Sequence, residues 1–232
     1  MTTNDIDRLR GEYARRRESS ADKERYSLFN RAYLFAIQQR ERVTLDLLRS
    51  EQFTSLAGKS ILEVGCGRGG VLLEYFGYGA DLHALTGVDL LEDRLIDGIR
   101  RMSGLRLICA NGEKLPFPRA SYDIVLQYTA FSSILDPQIK TEMAAEMLRV
   151  LQPDGLILWY DFWLNPTNSQ TRGIRKAEIR RLFPRCDFTF KRTTLAPPIA
   201  RPLVSISWIG AMLLERLMLL NTHYLVAIKP RS

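Results

Sequence analysis

Ser60-Ile61-Leu62-Glu63-Val64-Gly65-Cys66-Gly67-Arg68-Gly69-Gly70 is the stretch on which the reading of this chain turns. Ile61, Leu62 and Val64 make a short apolar run. Three glycines follow within five residues, Gly65, Gly67 and Gly69, with Gly70 next. Val71-Leu72-Leu73-Glu74-Tyr75-Phe76 then opens an apolar-periodic segment at once. The spacing predicts a strand, a tight turn and a helix. Glycine lets the backbone take positive φ and lets a ligand approach where a Cβ would clash. The helix start behind the turn offers unpaired N–H groups. The segment therefore reads as a cradle for a small polar ligand.

The run satisfies the G-x-G-x-x-G dinucleotide pattern literally, which alone is a weak signal. Glu63 discriminates further. It stands two residues before the first glycine, at the end of a strand expected to be buried, and buried glutamate is rare unless paired. An anion there opposes a pyrophosphate and suits a cationic ligand such as S-adenosylmethionine, with its sulfonium and α-ammonium groups. A paired core acid is the alternative reading.

The string Glu63-Val64-Gly65-Cys66-Gly67-Arg68-Gly69 resembles motif I of the class I S-adenosylmethionine-dependent methyltransferases. The likeness runs in order from about Ser60 to about Asp161 and is closest to the bacterial group acting on small molecules. It implies an α/β, Rossmann-like fold: a seven-stranded, mostly parallel sheet with an antiparallel last strand and helices on both faces. It implies S-adenosyl-L-methionine as cofactor and S-adenosyl-L-homocysteine as product. It places cofactor contacts at Glu63, Gly65, Cys66, Gly67, Gly69, Asp89, Leu90, Asn111, Gly112, Glu113 and Gln127. The expected organisation is one domain over residues 1–232: a helical cap (1–50), a cofactor-binding core (51–198), a helical insertion or lid (199–221) and a closing strand (222–232).

Residues around the motif fit that frame. Ala84 to Val88 reads as a second strand ending in Asp89, 24 residues beyond Gly65. A carboxylate at a strand's carboxyl end can accept from ribose hydroxyls, or cap the next helix. Leu105 to Cys109 reads as a third strand. The segment Ala110-Asn111-Gly112-Glu113 after it resembles the family's adenine-binding segment, with Asn111 where an acid is usual. Ser121 to Gln127 is continuously apolar at its centre, as in a parallel strand covered on both faces. Asp136-Pro137 marks a helix start, and Gln152-Pro153-Asp154-Gly155 a turn before a fifth strand, Leu156 to Asp161. Asp187 to Thr193 and His223 to Lys229 read as the last two strands. About 25 residues between them, apolar over Leu203 to Leu220, replace the family's short hairpin. A descending last strand puts this insertion at the ligand end of the sheet. Its apolar face suits the domain's own core, a lipid, or a membrane surface.

Composition bounds the rest. The chain has 232 residues, 46% hydrophobic and 25% charged, enough for one α/β domain. The polar start Met1-Thr2-Thr3-Asn4-Asp5 shows no signal peptide, and no apolar run of about 18 residues predicts a membrane span. Cys66, Cys109 and Cys186 fit reduced thiols in a cytoplasmic protein rather than a disulfide framework, and no zinc-type ligand spacing is present, so no metal is expected. The net charge of +7, carried largely by arginine, reads as solvated helix faces or as attraction to an anionic partner.

Methyl transfer from a sulfonium needs acceptor, methyl and sulfur in line and water kept out. An alcohol acceptor also needs a base. His223, opening the last strand, and Asp161, ending the fifth, are the candidate catalytic residues by topology. Tyr128 and Arg172 are candidate acceptor contacts, and Tyr13 is either a lid residue or a surface tyrosine. The reading is a small-molecule methyltransferase, with O-methylation of a sugar or polysaccharide precursor or of a lipid-like metabolite. An RNA methyltransferase is the alternative raised by the charge. Against it, Gln127-Tyr128-Thr129-Ala130 is not the Asn/Asp-Pro-Pro-aromatic tetrapeptide used on exocyclic amines, so no nucleic-acid partner is expected. An NAD(P) oxidoreductase is opposed by Glu63 and by the antiparallel closing strand. The sequence does not indicate an oligomeric state.

Overall fold

The computed structural model describes residues 8, 10–12, 15, 24–165 and 171–231. Tyr13 lies outside the described residues.

The sheet is built on β1 (Ile61–Val64), β2 (Leu85–Asp89), β3 (Arg106–Cys109), β4 (Tyr122–Tyr128), β5 (Leu151–Phe162), β6 (Cys186–Leu195) and β7 (Asn221–Pro230). Their order is β3-β2-β1-β4-β5-β7-β6. β1 pairs in parallel with β2 on one side and β4 on the other. β7 runs antiparallel between β5 and β6. This is the expected Rossmann-like sheet, and its strand order reverses between β1 and β4. In open α/β sheets ligands sit at that switch point, outside the carboxyl ends of the strands.

Strand period sorts the core. Leu62, Val64, Val125, Ile157, Trp159 and Val226 point to one face, where α4 (Pro137–Val150) and α5 (Lys176–Leu182) cover them. Ile61, Ile124, Leu126, Leu158 and Leu225 point to the other. That second face is covered by α1 (Arg31–Ser50), α2 (Gly70–Gly77) and α3 (Glu92–Arg101). With a period of two, Glu63 shares the face of Ile61. It therefore looks toward α1 and α2 rather than toward α4.

Two local features differ in detail from the sequence reading. Gln152-Pro153-Asp154-Gly155 does form an irregularity, but inside a longer β5: Leu151 pairs with Tyr122 and Leu156 with Ile124, and the four residues between bulge out. The apolar stretch after β6 is two helices, α6 (Pro197–Ile206) and α7 (Trp208–Arg216), not one. Ser207 is extended, at φ −149°, and its Oγ accepts from Gly210 N at 3.0 Å, so it ends one helix and caps the next.

The insertion leaves at Leu195 and returns at Asn221, which pair with each other, beside the carboxyl end of β5. Its inner face packs on α1. Phe35 meets Leu195, Ala200, Val204 and Ala211 in a small separate core, and its ring is edge-on to Trp208 at 5.2 Å. Glu215 fixes α7 to β6: its Oε1 accepts from Thr194 N at 2.8 Å and Thr193 Oγ1 at 3.3 Å, while Asn221 Nδ2 donates to its backbone carbonyl at 3.0 Å.

Replacing Phe35 empties the centre of that small core. Phe35→Ala is expected to lower the unfolding free energy by about 3 kcal/mol. Chemical denaturation followed by circular dichroism measures the loss.

Candidate active site

The glycine turn is closed by β2. Gly65 N and Cys66 N both donate to Val88 O, at 2.8 and 3.0 Å. Gly65 and Gly67 sit at φ +80° and +57°, in left-handed backbone that favours glycine. A Cβ on Gly65 would lie 2.5 Å from the Ala130 Cβ. β1 and the loop after β4 approach that closely across the pocket floor. Cys66 is buried beneath the turn, against Gly87, and burial pushes its thiol far above the usual range.

Asp89 ends β2 at the lip of the turn. Its Oδ2 accepts from Gly67 N at 2.7 Å and meets Arg94 Nη1 at 3.3 Å; its Oδ1 accepts from Leu91 N at 2.9 Å. The carboxylate is thus rigidly placed, with lone pairs left for a ligand.

Two connected hollows open along the carboxyl edge of β1, β2 and β4. The first is lined by Asp89, Leu90, Asn111, Gly112, Ala130, Ile134 and Met143 among others, an apolar slot with polar ends. The second is lined by Arg40, Glu63, Gly65, Cys66, Tyr128, Thr129 and Tyr160 among others. Gly65, Arg94, Tyr128 and Thr129 line both. The apolar walls and polar ends of the first suit a nucleoside. Asn111 there is partly occupied by its own turn, since its Oδ1 accepts from Glu113 N at 3.1 Å and its Nδ2 donates to Glu113 Oε2 at 2.6 Å.

The second hollow is charged. Glu63 is 2% exposed, and its Oε2 has no hydrogen-bond partner among the described residues. Burial, with Glu74 and Asp89 adding like charge, pushes its pKa up to about 8 against the opposing pull of Arg40 and Arg94. Across from it stands Arg40 of α1. Its guanidinium is ion-paired to Glu74 and lies over the rings of Tyr128 and Tyr160, at 5.3 and 5.2 Å. Burial alone would lower its pKa, but Glu74 and the two tyrosines more than offset that, so the cation is held. Arg40 Nε has no hydrogen-bond partner among the described residues.

The wall after β4 is braced from behind. Gln127 Oε1 accepts from Ala130 N at 2.8 Å, and its Nε2 donates to Asp161 Oδ2 at 3.4 Å. The same Asp161 oxygen accepts from Ser132 N at 3.0 Å, and Oδ1 from Phe162 N at 2.9 Å. Burial pushes Asp161 up to about 7, against those hydrogen bonds. Gln127 and Asp161 therefore hold the wall and do not line either hollow. Between them Thr129, a β-branched residue at φ +57°, donates from its N to Tyr160 O at 2.8 Å. Such backbone persists only where the surroundings over-determine it.

The other sequence candidates scatter. Tyr128 lines both hollows, with its hydroxyl tied to Tyr75 Oη at 3.0 Å. His223 stacks on Tyr160 at 4.9 Å, with Nδ1 3.0 Å from Thr222 Oγ1. Burial, then the charge of Arg40, lowers its pKa to about 3. Arg172 is exposed; its backbone N donates to Ser132 O at 2.9 Å and its side chain lies away from both hollows. Two arginines were not anticipated. Arg8 Nη2 donates to Ser133 O at 2.7 Å, at the rim of the nucleoside slot. Arg40 was legible in principle, because it shares the buried stripe of α1 with Thr44 and Leu47 at spacings of four and seven.

Residues 61–155 match the family model described as a methyltransferase domain. The chain is 34% identical over 122 residues to phthiotriol/phenolphthiotriol dimycocerosates methyltransferase 1 of Mycobacterium ulcerans, covering 52% of this chain and 43% of that protein. It is 37% identical over 106 residues to the fatty-acid O-methyltransferase of Mycolicibacterium smegmatis, covering 45% and 37%. It thus spans less than half the length of these two relatives. Geranyl diphosphate C-methyltransferase of Streptomyces coelicolor, solved with Mg2+, geranyl diphosphate and S-adenosyl-L-homocysteine, shares the fold at a TM-score of 0.57 and 16% identity, over 81% of this chain and 78% of that one. Residues 61–155, built around the glycine turn, are similar to a methyltransferase domain, and the fold is shared with a solved methyltransferase bound to S-adenosyl-L-homocysteine.

The site fits that cofactor. A buried orphan acid, a glycine turn closed by β2 and a carboxylate at the lip of β2 are what a nucleoside with a cationic amino-acid tail requires. Glu63 must ionise to meet an ammonium, and its raised pKa leaves it largely protonated at pH 7, so ligand binding is expected to expel a proton. Calorimetry with S-adenosylhomocysteine in buffers of different ionisation enthalpy measures that release, and Glu63→Gln abolishes it. In the free protein the sign is fixed by the same shift. Glu63's folded pKa of about 8 lies above its ordinary 4.5, so its contribution to stability is full below pH 4.5 and is lost as pH rises toward 8.

Proposed function

We propose that this chain transfers a methyl group from S-adenosylmethionine to an oxygen of a small, lipid-like acceptor. The observation that carries the donor half is the pairing of opposite charges in one buried hollow: the orphan oxygen of Glu63 and the unpartnered Nε of Arg40. Glu63 takes the α-ammonium of the donor's tail, and Arg40 takes its carboxylate on the edge Glu74 leaves open. Asp89 receives the ribose hydroxyls. The Leu90, Ala130, Ile134 and Met143 side chains enclose the adenine, with Asn111 and Gly112 at its edge. When bound, the donor would supply a sulfonium-activated methyl group, its C–S bond breaking as the C–O bond to the acceptor forms and the sulfur leaving as a neutral thioether.

The acceptor half rests on the wall beside Thr129 and on the candidate base His223, which lines neither hollow. His223 sits behind Tyr160 and stays neutral above pH about 3, so it attracts protons feebly. That chemistry suits an oxygen that arrives already ionised, as a carboxylate does, better than an alcohol that must be deprotonated. The fatty-acid and dimycocerosate relatives favour a lipid-like acceptor over a sugar.

Arg40→Met is expected to weaken S-adenosylhomocysteine roughly tenfold to a hundredfold, the value of a charge-assisted hydrogen bond. It is expected to leave 5′-methylthioadenosine, which has no amino-acid tail, bound as before. Calorimetry with the two ligands separates the outcomes, and equal weakening of both refutes the assignment of Arg40.

Incubation with methyl-labelled donor and a panel of long-chain carboxylic acids, aliphatic alcohols, sugar precursors, RNA and protein tests the acceptor. Label is expected in an extractable methyl ester. At saturating donor the rate is expected to show no inflection from His223 between pH 5 and 8. Label confined to RNA or protein overturns the proposal.

A further inference from the structure

The outer face of the insertion is apolar and unmatched. Along α7 and onto the residue that caps its end, Ile209, Leu213 and Leu217 follow one another at intervals of four and form a single ridge, 70%, 58% and 62% exposed. Ile206, at the end of α6, is 83% exposed, and Leu219 in the turn back to β7 is 74% exposed. Lone exposed leucines need no explanation, but a contiguous ridge does. It is not slack in the packing. The opposite side of α7 is pinned by Glu215 to Thr194 and by Ala211 to the Phe35 core, so the ridge is held outward.

The exposed charges that the insertion itself carries have one sign. Within residues 196–220 the charged side chains are Arg201, Glu215 and Arg216. Glu215 is buried, so the surface shows two arginines and no acid. α6 and α7 have 10 and 9 residues, far short of a membrane span of about 20. Apolar ridge, flanking arginines and short amphipathic helices together match an anionic bilayer surface, on which such helices lie in the plane of the headgroups. The insertion also stands at the carboxyl edge of the sheet, where the hollows open.

We propose that α6 and α7 dock this protein on an anionic lipid surface and bring the mouth of the active site to the bilayer. The inference deepens the lipid-acceptor reading and rests on it for the purpose of the contact; the surface itself is seen independently. The partition of the full chain into sedimented vesicles tests it, with phosphatidylcholine alone and with phosphatidylcholine mixed with phosphatidylglycerol. Binding is expected to the mixed vesicles and to weaken with salt. At about 1 kcal/mol per basic residue, Arg201→Gln with Arg216→Gln is expected to reduce the partition coefficient about thirtyfold. Ile209→Ser with Leu213→Ser is expected to reduce it more than tenfold. Both variants change exposed side chains, and both are expected to retain the wild-type melting temperature and affinity for S-adenosylhomocysteine.

The proposal fails if the wild-type chain stays in solution with both vesicle types, or if the serine variant sediments as the wild type does. It also fails if the ridge instead pairs two copies of the chain, seen as a dimer by light scattering that the serine variant dissolves while neither form binds vesicles. Methylation of a short, water-soluble acceptor by a chain that does not bind vesicles refutes the docking surface alone. Vesicle binding by a chain that methylates no lipid-like acceptor refutes the acceptor reading alone.

Discussion

A carboxylate without a partner, buried at the end of the first strand, is the constraint from which the site follows. Leaving Glu63 unsatisfied in a desolvated position is expensive. Its raised pKa shows how the ligand-free protein limits that penalty: the group stays largely protonated. The arrangement makes sense only if a cation completes it. Arg40 does not do so, because its guanidinium is committed to Glu74 and to the tyrosine faces. The hollow therefore contains an acid seeking a cation and a cation with an edge to spare. An amino acid zwitterion satisfies both at once.

The walls of the hollow show where stability is given up for shape. Thr129 adopts a backbone that β-branched residues avoid, and Asp161 is buried with its charge disfavoured. Each is tolerated because the other is there. Asp161 collects the backbone N–H groups of Ser132 and Phe162 and the Gln127 amide, and Gln127 in turn holds Ala130. The network fixes the one loop that must lie within a Cβ's breadth of Gly65. A loop free to move there would close the pocket or leave it open to water.

This division explains what was legible in the sequence. The turn of Gly65 to Gly69, the acid before it, Asp89 and the order of the strands are local patterns, and their consequences are local. Glycine needs no partner to take positive φ, and an acid at a strand end faces the crevice by topology alone. The roles expected of Asp161, Gln127 and Arg172 depended on which way a side chain turns after its strand ends. For Asp161 and Gln127 hydrogen bonds to each other and to the turn over Ala130–Ser132 decide it, while Arg172 is held there by its backbone and its side chain is exposed. His223 was placed correctly at the ligand end, opposite Phe162. Its basicity was beyond the sequence, because it depends on burial in the folded chain and on the charge of Arg40 some 180 residues away in the chain.

α1 joins these parts. The same helix presents Arg40 to the donor hollow and Phe35 to the core beneath the insertion. One and a half turns separate the two residues, and an α-helix is stiff over that length. A displacement of α6 and α7 that rotates or slides α1 must therefore move the guanidinium that closes the donor's tail. Glu74 limits that movement from one side and the faces of Tyr128 and Tyr160 from the other. The insertion and Arg40 are thus joined through the packed side chains of one helix. An event on the outer surface of the insertion has a short physical route to the reacting centre.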